Sequence, residues 1–340
     1  MIQTSSPPRT AFVTGSAGFI GYHVAERLLA QGWHVVGLDA LSDYYDVALK
    51  QRRHAMLETY PGFVPVIGRL EDPGLLRQLF AEHRPDLVVH LAAQAGVRHS
   101  IEQPRDYVEA NLVGSFELLE AARAHPPAHM LLASTSSVYG ANTDMPYGER
   151  DKTDTQMSFY AATKKATEAM AQSYAHLYGL PVTMFRFFTV YGPWGRPDMA
   201  HFLFTDAILH GRPIKVFNHG KMRRDFTYID DLVDGICGLI DVVPGDQPVS
   251  SRDSLSPVAP FRIVNIGNSA PVELLTYIQA IEAACGQEAE KILMPMQPGD
   301  VPATWADTGL LTELTGYAPK VDVQTGIQRF VDWYRMYYRV

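Results

Sequence analysis

Tyr160 and Lys164 stand four residues apart in "SFYAATKKATEAM". On a helix, residues i and i+4 share a face, so a phenol and an ammonium can point into one cleft. An ammonium that close favours a phenolate and lowers the tyrosine pKa from about 10. A tyrosine so tuned can take a proton from an alcohol as the adjacent carbon is oxidised. The bland alternative is a tyrosine–lysine pair on a solvated helix face; Lys165 is expected to face elsewhere. Upstream, "ASTSSVYG" places Ser134, Thr135, Ser136 and Ser137 at the end of an apolar run, with no acid among them. Buried hydroxyls without partners cost roughly 1–3 kcal/mol each, so these need a purpose.

A third pattern gives the pair an oxidant. "TGSAGFIG" holds Gly15, Gly18 and Gly21 between a short apolar run and an amphipathic stretch with Ile20, Val24 and Leu28 at helical spacing. Glycines there allow a tight turn and close backbone approach to a pyrophosphate, and the helix start near Ala17, Phe19 and Ile20 offers free N–H groups. An ordinary strand–helix turn would need no acid downstream, but Asp39 ends the next apolar run. A carboxylate there accepts from a ribose 2′-hydroxyl and repels a 2′-phosphate, which points to NAD and not NADP. A nicotinamide cation would then add to the Lys164 charge beside Tyr160.

These residues need a scaffold that brings strand ends together. Apolar runs at 10–15, 33–39, 85–93, 129–134 and 181–188 alternate with helical stretches, and "RIVNIG" (262–267) repeats the theme. Such alternation predicts an α/β fold, a Rossmann-type doubly wound parallel sheet. After residue 190 the pattern loosens into a smaller, interleaved C-terminal substrate-binding lobe. The expected division is 1–188 plus 226–268 for the NAD-binding domain, and 189–225 plus 269–340 for the lobe. Residues 244–260 are Pro/Ser-rich and read as a surface loop, and "KQRRH" (50–54) as a solvated helix face.

The chain has 340 residues, 46% of them hydrophobic, and a formal net charge of −8, which disfavours a general nucleic-acid binder. Two cysteines, Cys237 and Cys285, give no disulfide framework; the twelve histidines include no HExxH pair, so no metal is expected. No run of about 18 apolar residues predicts a membrane span, and the polar start "MIQTSSPPRT" is unlike a signal peptide. A cytoplasmic protein is expected.

The glycine spacing and "HLAAQAG" resemble the extended short-chain dehydrogenase/reductase superfamily. "HLAAQAGVRHSIEQPRDYVEANLVGS", "RFFTVYGPWGRPDMAHFLFTDAI", "RRDFTYIDDLVDGI" and "MQPGDVPATWADT" resemble, within it, the UDP-glucuronic acid 4-epimerases, over nearly the whole chain. The resemblance implies reversible conversion of UDP-glucuronate to UDP-galacturonate through a 4-keto sugar, with NAD held and recycled. It implies a catalytic set of Thr135, Tyr160 and Lys164, with Leu91, Ala92 and Ala93 beneath the cofactor. It assigns the sugar carboxylate to Ser136, Ser137, Thr189 and Arg196. For the nucleotide it implies Arg224 at the pyrophosphate, Asp300 at the ribose, and backbone around Lys215 and Phe217 at the uracil; Arg98 would reach phosphate or sugar. It also implies a homodimer.

The row of hydroxyls separates this family from its neighbours. Related decarboxylases carry a glutamate where Ser137 stands, and 4,6-dehydratases an Asp–Glu pair at Ser136 and Ser137. An acid there would repel a substrate carboxylate. UDP-galactose 4-epimerases usually carry asparagine in place of Thr189. One departure stands out: Arg69 occupies the place of an aspartate that contacts adenine in relatives, moving that contact to Leu70, Glu71 or Asp72, unless Asp72 caps the next helix. The competing readings are a UDP-hexose 4-epimerase, a UDP-glucuronate decarboxylase, and a non-catalytic NAD sensor. Simpler roles also remain: Thr135 satisfied by backbone, Arg196 bracing its own loop, Arg223 as surface charge.

Overall fold

A computed structural model describes residues 8–297 and 300–340. Residues 1–7, most of the polar N-terminal stretch, and Pro298 and Gly299 of the "PGD" run lie outside the described residues. The strands are β1 (Thr10–Thr14), β2 (His34–Asp39), β3 (Phe63–Ile67), β4 (Leu87–His90), β5 (His129–Thr135), β6 (Val182–Phe187), β7 (Thr189–Tyr191), β8 (Ile214–Val216), β9 (Arg223–Tyr228), β10 (Phe261–Ile266), β11 (Pro271–Glu273), β12 (Lys291–Leu293) and β13 (Ala303–Thr304).

Seven of them form one parallel sheet in the order β10-β6-β5-β4-β1-β2-β3. Both faces are covered, so the strands are mostly apolar, and their alternation divides the core in two. Ala11, Val13, Val35, Leu87, Val89 and Leu131 face one hydrophobic cluster. Phe12, Val36, Leu38, Val88, Met130 and Leu132 face the other. This is the doubly wound α/β fold that the sequence pattern predicts. Pattern alone does not single out β3, an edge strand with Pro65 in its middle and Val64 and Ile67 exposed.

β7, β9, β11 and β13 make a second sheet, and β8 pairs with β12. β9 runs across the expected division at 225/226, and the first core cluster continues from the large sheet to Phe202, Tyr277 and Phe330 of the lobe. The Pro/Ser-rich loop is anchored as well as exposed: buried Asp253 accepts from Arg262 Nε at 2.9 Å and Nη2 at 3.0 Å. The "KQRRH" reading is corrected. On the helix Val47–Leu57, Lys50, Arg53 and His54 are buried, and only Gln51 and Arg52 of the five face solvent. Lys50 Nζ can be buried because it donates to Ser42 O at 2.6 Å and Ser42 Oγ at 2.9 Å, over the Tyr45 ring. Among the described residues, no helix is long and apolar enough to cross a membrane.

The switch in strand order falls between β1 and β4, and opens a crevice at their C-terminal ends. Gly15 follows β1 with φ +73°, and a Cβ there would lie 2.8 Å from Ala92 N. Gly21 has the stricter role, since a Cβ would fall 2.0 Å from Gly15 O and force the helix Phe19–Ala30 off the strand. Gly21→Ala should therefore destabilise the fold by about 1–3 kcal/mol, as overpacking does, and purify with less NAD. Thermal melting and bound-nucleotide content check this; an unchanged melting temperature contradicts the contact.

Candidate active site

The cofactor crevice is built from backbone and one carboxylate. The helix Phe19–Ala30 begins with no side-chain cap and no acid in its first turn, so its dipole end and amides face the crevice uncompensated. Asp39, at the end of β2, accepts from Ala17 N at 2.9 Å and Leu41 N at 2.8 Å. Those bonds fix the carboxylate and leave lone pairs for ribose hydroxyls. On the other side, Thr14 Oγ1 accepts the amides of Leu91 and Ala92, each at 3.1 Å. These bonds turn the chain after His90, so β4 is shorter than its apolar run. With Thr14 accepting twice, its proton goes to His90 Nδ1 at 2.8 Å, and His90 keeps its own proton on Nε2. Burial, then the nearby Lys164 charge, pushes the His90 pKa down to about 3. The crevice fits a dinucleotide: open helix amides, a fixed acid on the ribose side, and glycines where a Cβ would intrude.

Beyond β3, Leu70 is buried beneath Gly114, while Glu71 Oε1 is taken by Arg69 Nε at 2.6 Å. Asp72 does not cap the next helix, whose N-cap is Gly74 without a side-chain bond. Its carboxylate instead accepts from Arg69 N at 2.9 Å and closes the turn.

The catalytic candidates meet at the end of β5. Ser158, two residues before Tyr160, caps the helix Phe159–Tyr178 by accepting from Ala161 N. Tyr160 and Lys164 therefore share a face beside Thr135. Burial raises the Tyr160 pKa, and the Thr135 hydroxyl and then the Arg196 charge oppose that rise. Lys164 is buried, and its pKa falls to about 8 by loss of solvation, against the charge of Glu168. Asn111, which the sequence patterns do not single out, ties the crevice to this helix: Oδ1 accepts from Gln94 N at 2.8 Å and Nδ2 donates to Thr163 Oγ1 at 3.0 Å.

The hydroxyl row resolves into separate roles. Ser134 Oγ donates to Glu168 Oε1 at 2.6 Å. Glu168 is buried and also accepts Arg186 Nε and Nη2, each at 2.9 Å, and Lys165 Nζ at 3.2 Å. Burial pushes its carboxyl up, but Arg186 more than offsets this and holds it below the ordinary value. Thr135 Oγ1 accepts from Ser137 N and donates to Ser137 Oγ, both at 3.2 Å, so this local bonding coexists with its place beside Tyr160. Ser137 keeps its own proton to donate, and Ser136 is half-buried beside it.

The remaining candidates fall into pairs. Arg224 Nη2 donates to Asp300 Oδ1 at 2.7 Å. The Arg98 guanidinium lies 5.1 Å from the centre of the Phe217 ring, and Lys215 lies on β8 two residues before it. Thr189 opens β7, in register with Phe226. Arg196 is not free: Nε and Nη2 grip Asp198 at 3.0 and 2.5 Å, and Tyr44 Oη donates to the same carboxylate at 3.3 Å. Burial works to lower the Arg196 pKa, but Asp198 reverses that and raises it. The loop-bracing role is thus present, with Nη1 left outside the pair.

A model of the NAD dependent epimerase/dehydratase family matches residues 11–249. The chain belongs to that family. A probable UDP-glucuronate 4-epimerase of Rhizobium meliloti is 54% identical over 96% of this chain and 97% of its own length. The UDP-glucuronic acid 4-epimerase of Bacillus cereus, solved with UDP-glucuronic acid and NAD, superposes with a TM-score of 0.87 at 31% identity, covering 97% of this chain and all (100%) of that one. A UDP-glucose 4-epimerase of Thermotoga maritima, solved with UDP-glucose, gives a TM-score of 0.84 at 28% identity over 97% and 99%. Fold alone therefore does not choose the sugar within this epimerase family; side chains must.

Lys164 gives the site a stability signature. Its folded pKa of about 8 lies below the ordinary 10.5, so the unfolded chain holds this proton more tightly. The contribution of this group to stability then rises as pH climbs from about 8 to about 10.5, because native protein has already shed the proton. Urea unfolding across that window should show wild type gaining stability relative to Lys164→Met. Parallel curves contradict a buried, depressed ammonium.

Proposed function

We propose that this chain is an NAD-dependent epimerase acting at C4 of UDP-glucuronate, converting it reversibly to UDP-galacturonate without loss of CO₂. One observation carries the choice of sugar. The β5 end beside Tyr160 presents Thr135, Ser136 and Ser137 with no acid, and an arginine loop is tied to the same crevice. The 54% identity to a probable UDP-glucuronate 4-epimerase supports it.

Bound NAD supplies the two-electron acceptor and donor for the sugar C4–H, held by Gly15, Ala17, Gly18, Phe19, Ile20, Gly21, Asp39 and Leu91 to Ala93. The Tyr160 phenolate takes the O4 proton as C4 becomes a ketone, and returns it to O4 when the opposite face is reduced. Lys164 keeps positive charge beside the phenol, and Thr135 orients O4. The 4-keto uronate is a β-keto acid, which loses CO₂ readily when its C5–C6 bond lines up with the π orbital of the carbonyl. Ser136, Ser137, Thr189 and Arg196 hold the carboxylate out of that alignment. Arg224, Asp300, Phe217, the backbone at Lys215, and Arg98 hold the nucleotide. Residues 1–188 with 226–268 serve the cofactor, and 189–225 with 269–340 the nucleotide sugar.

By superfamily analogy the enzyme is a cytoplasmic homodimer joined by a helix pair. Unpaired Cys237 and Cys285 suit a reducing compartment, and exposed Phe116 and Phe159 lie on the helices Gly114–Ala124 and Phe159–Tyr178. Light scattering should give twice the chain mass; a monomer at micromolar concentration contradicts the assembly.

Purified protein given UDP-glucuronate should form UDP-galacturonate by NMR, and Tyr160→Phe should lower turnover at least about 10²-fold while retaining NAD. A UDP-pentose as main product would overturn the epimerase reading. Wild-type turnover in the variant would remove Tyr160 from the proton transfer.

A further inference from the structure

Arg53 is fully buried, yet among the described residues no carboxylate pairs with it. Taking a guanidinium out of water is costly, so its hydrogen bonds must compensate. One nitrogen serves Ala17 and Tyr45, the other the loop before Arg196, far away in sequence. Nη1 donates to Ala17 O and Tyr45 Oη, each at 2.9 Å. Nη2 donates to Trp194 O at 2.6 Å and Gly195 O at 3.0 Å. Ala17 lies in the glycine turn at the cofactor crevice. Trp194 and Gly195 directly precede Arg196. A neighbouring carbonyl, Pro193 O, is held by His23 Nε2 at 3.1 Å, from the helix that follows the glycine turn. Three successive carbonyls before Arg196 are therefore gripped from the cofactor side.

The turn they belong to does not hold itself. Trp194 has φ +60°, a left-handed conformation unfavourable for a bulky side chain. Such a conformation persists only where its surroundings over-determine it. The indole packs against the stacked rings of Trp333 and Tyr337, at ring distances of 5.3 and 5.2 Å. Space is closed on the other side too: a Cβ at Gly195 would lie 2.9 Å from both Gly192 O and His201 Nε2. Downstream, Tyr44 holds Asp198, the partner of Arg196, while the adjacent Tyr45 accepts from Arg53.

We propose that Arg53 is a positioning residue: it fastens the Trp194 turn to the glycine turn and thereby aims Arg196 at the substrate carboxylate. The inference rests on the reading of Arg196 as the residue that binds that carboxylate. Recognition of the uronate is then registered against the cofactor loop, and not set by the nucleotide lobe alone. Lysine cannot replace this arginine, because one ammonium lacks the planar fork that spans both segments.

The NAD-loaded full-length enzyme tests this with Arg53→Lys, Arg196→Ala and the double variant. KM and kcat for UDP-glucuronate are measured alongside the Kd of UDP, which has no sugar carboxylate. Arg53→Lys should raise KM about tenfold or more, leave UDP affinity and NAD content within about twofold, and add little to the KM of Arg196→Ala. An unchanged KM, an equal weakening of UDP, or full additivity with Arg196→Ala overturns the proposal while leaving the Arg196 reading standing. A flat response to Arg196→Ala overturns that reading and the proposal with it. If Arg53→Lys does not fold, Tyr45→Phe removes one acceptor and leaves the arginine in place. It should raise KM about threefold with UDP binding intact, and an unchanged KM again overturns the proposal.

Discussion

The site depends on a single buried carboxylate. Glu168 sits one turn beyond Lys164 on the catalytic helix, and accepts from Ser134, which immediately precedes Thr135, and from Arg186 on β6. Ser134 and Arg186 are partners in the β5–β6 register, so the carboxylate closes over two strands at one level. Removing either partner of a buried pair leaves an uncompensated charge, worth about 3–5 kcal/mol. The position of Thr135 relative to Tyr160 and Lys164 follows from this clamp. The proposed proton transfer, which needs all three in one place, is built on it, with Glu168 as a positioning residue.

That arrangement also explains why the strand end is so polar. Ser134 belongs to the clamp and Thr135 with Ser137 to a local turn. What remains is the Ser136 hydroxyl and the Ser137 proton, which in the proposed reading meet the sugar carboxylate together with Arg196. Neutral donors there suit a substrate that carries its own carboxylate. An acid would repel the substrate and could serve the C5 chemistry that this reaction has to avoid.

Much of this was legible in the sequence because the signals are short-range. The glycine turn, Asp39, the i,i+4 pair of Tyr160 and Lys164, and the apolar runs are each set by local spacing. What was not legible depends on contacts over long separations. Arg53 and Lys50 look like a charged helix face, since nothing nearby in the chain reveals that Ala17, Tyr45 and residue 194 converge on the guanidinium. Asp198 lies two residues from Arg196 and could have been weighed as its partner. Glu168 falls four residues after Lys164, so its face was readable, but Arg186 reads as part of an apolar strand until β6 is laid beside β5. β3 escaped because an edge strand with a central proline has no clean alternation.

In the proposed reaction the C4 hydride passes to bound NAD and returns, while these side chains move the O4 proton and keep the carboxylate attached. The most direct measurement uses UDP-glucuronate carrying deuterium at C4 and ¹³C in the carboxyl group, followed by NMR of product and solution. Both labels should appear in UDP-galacturonate, with the deuterium still at C4. Release of ¹³C as bicarbonate, or washout of the deuterium into solvent, would contradict it.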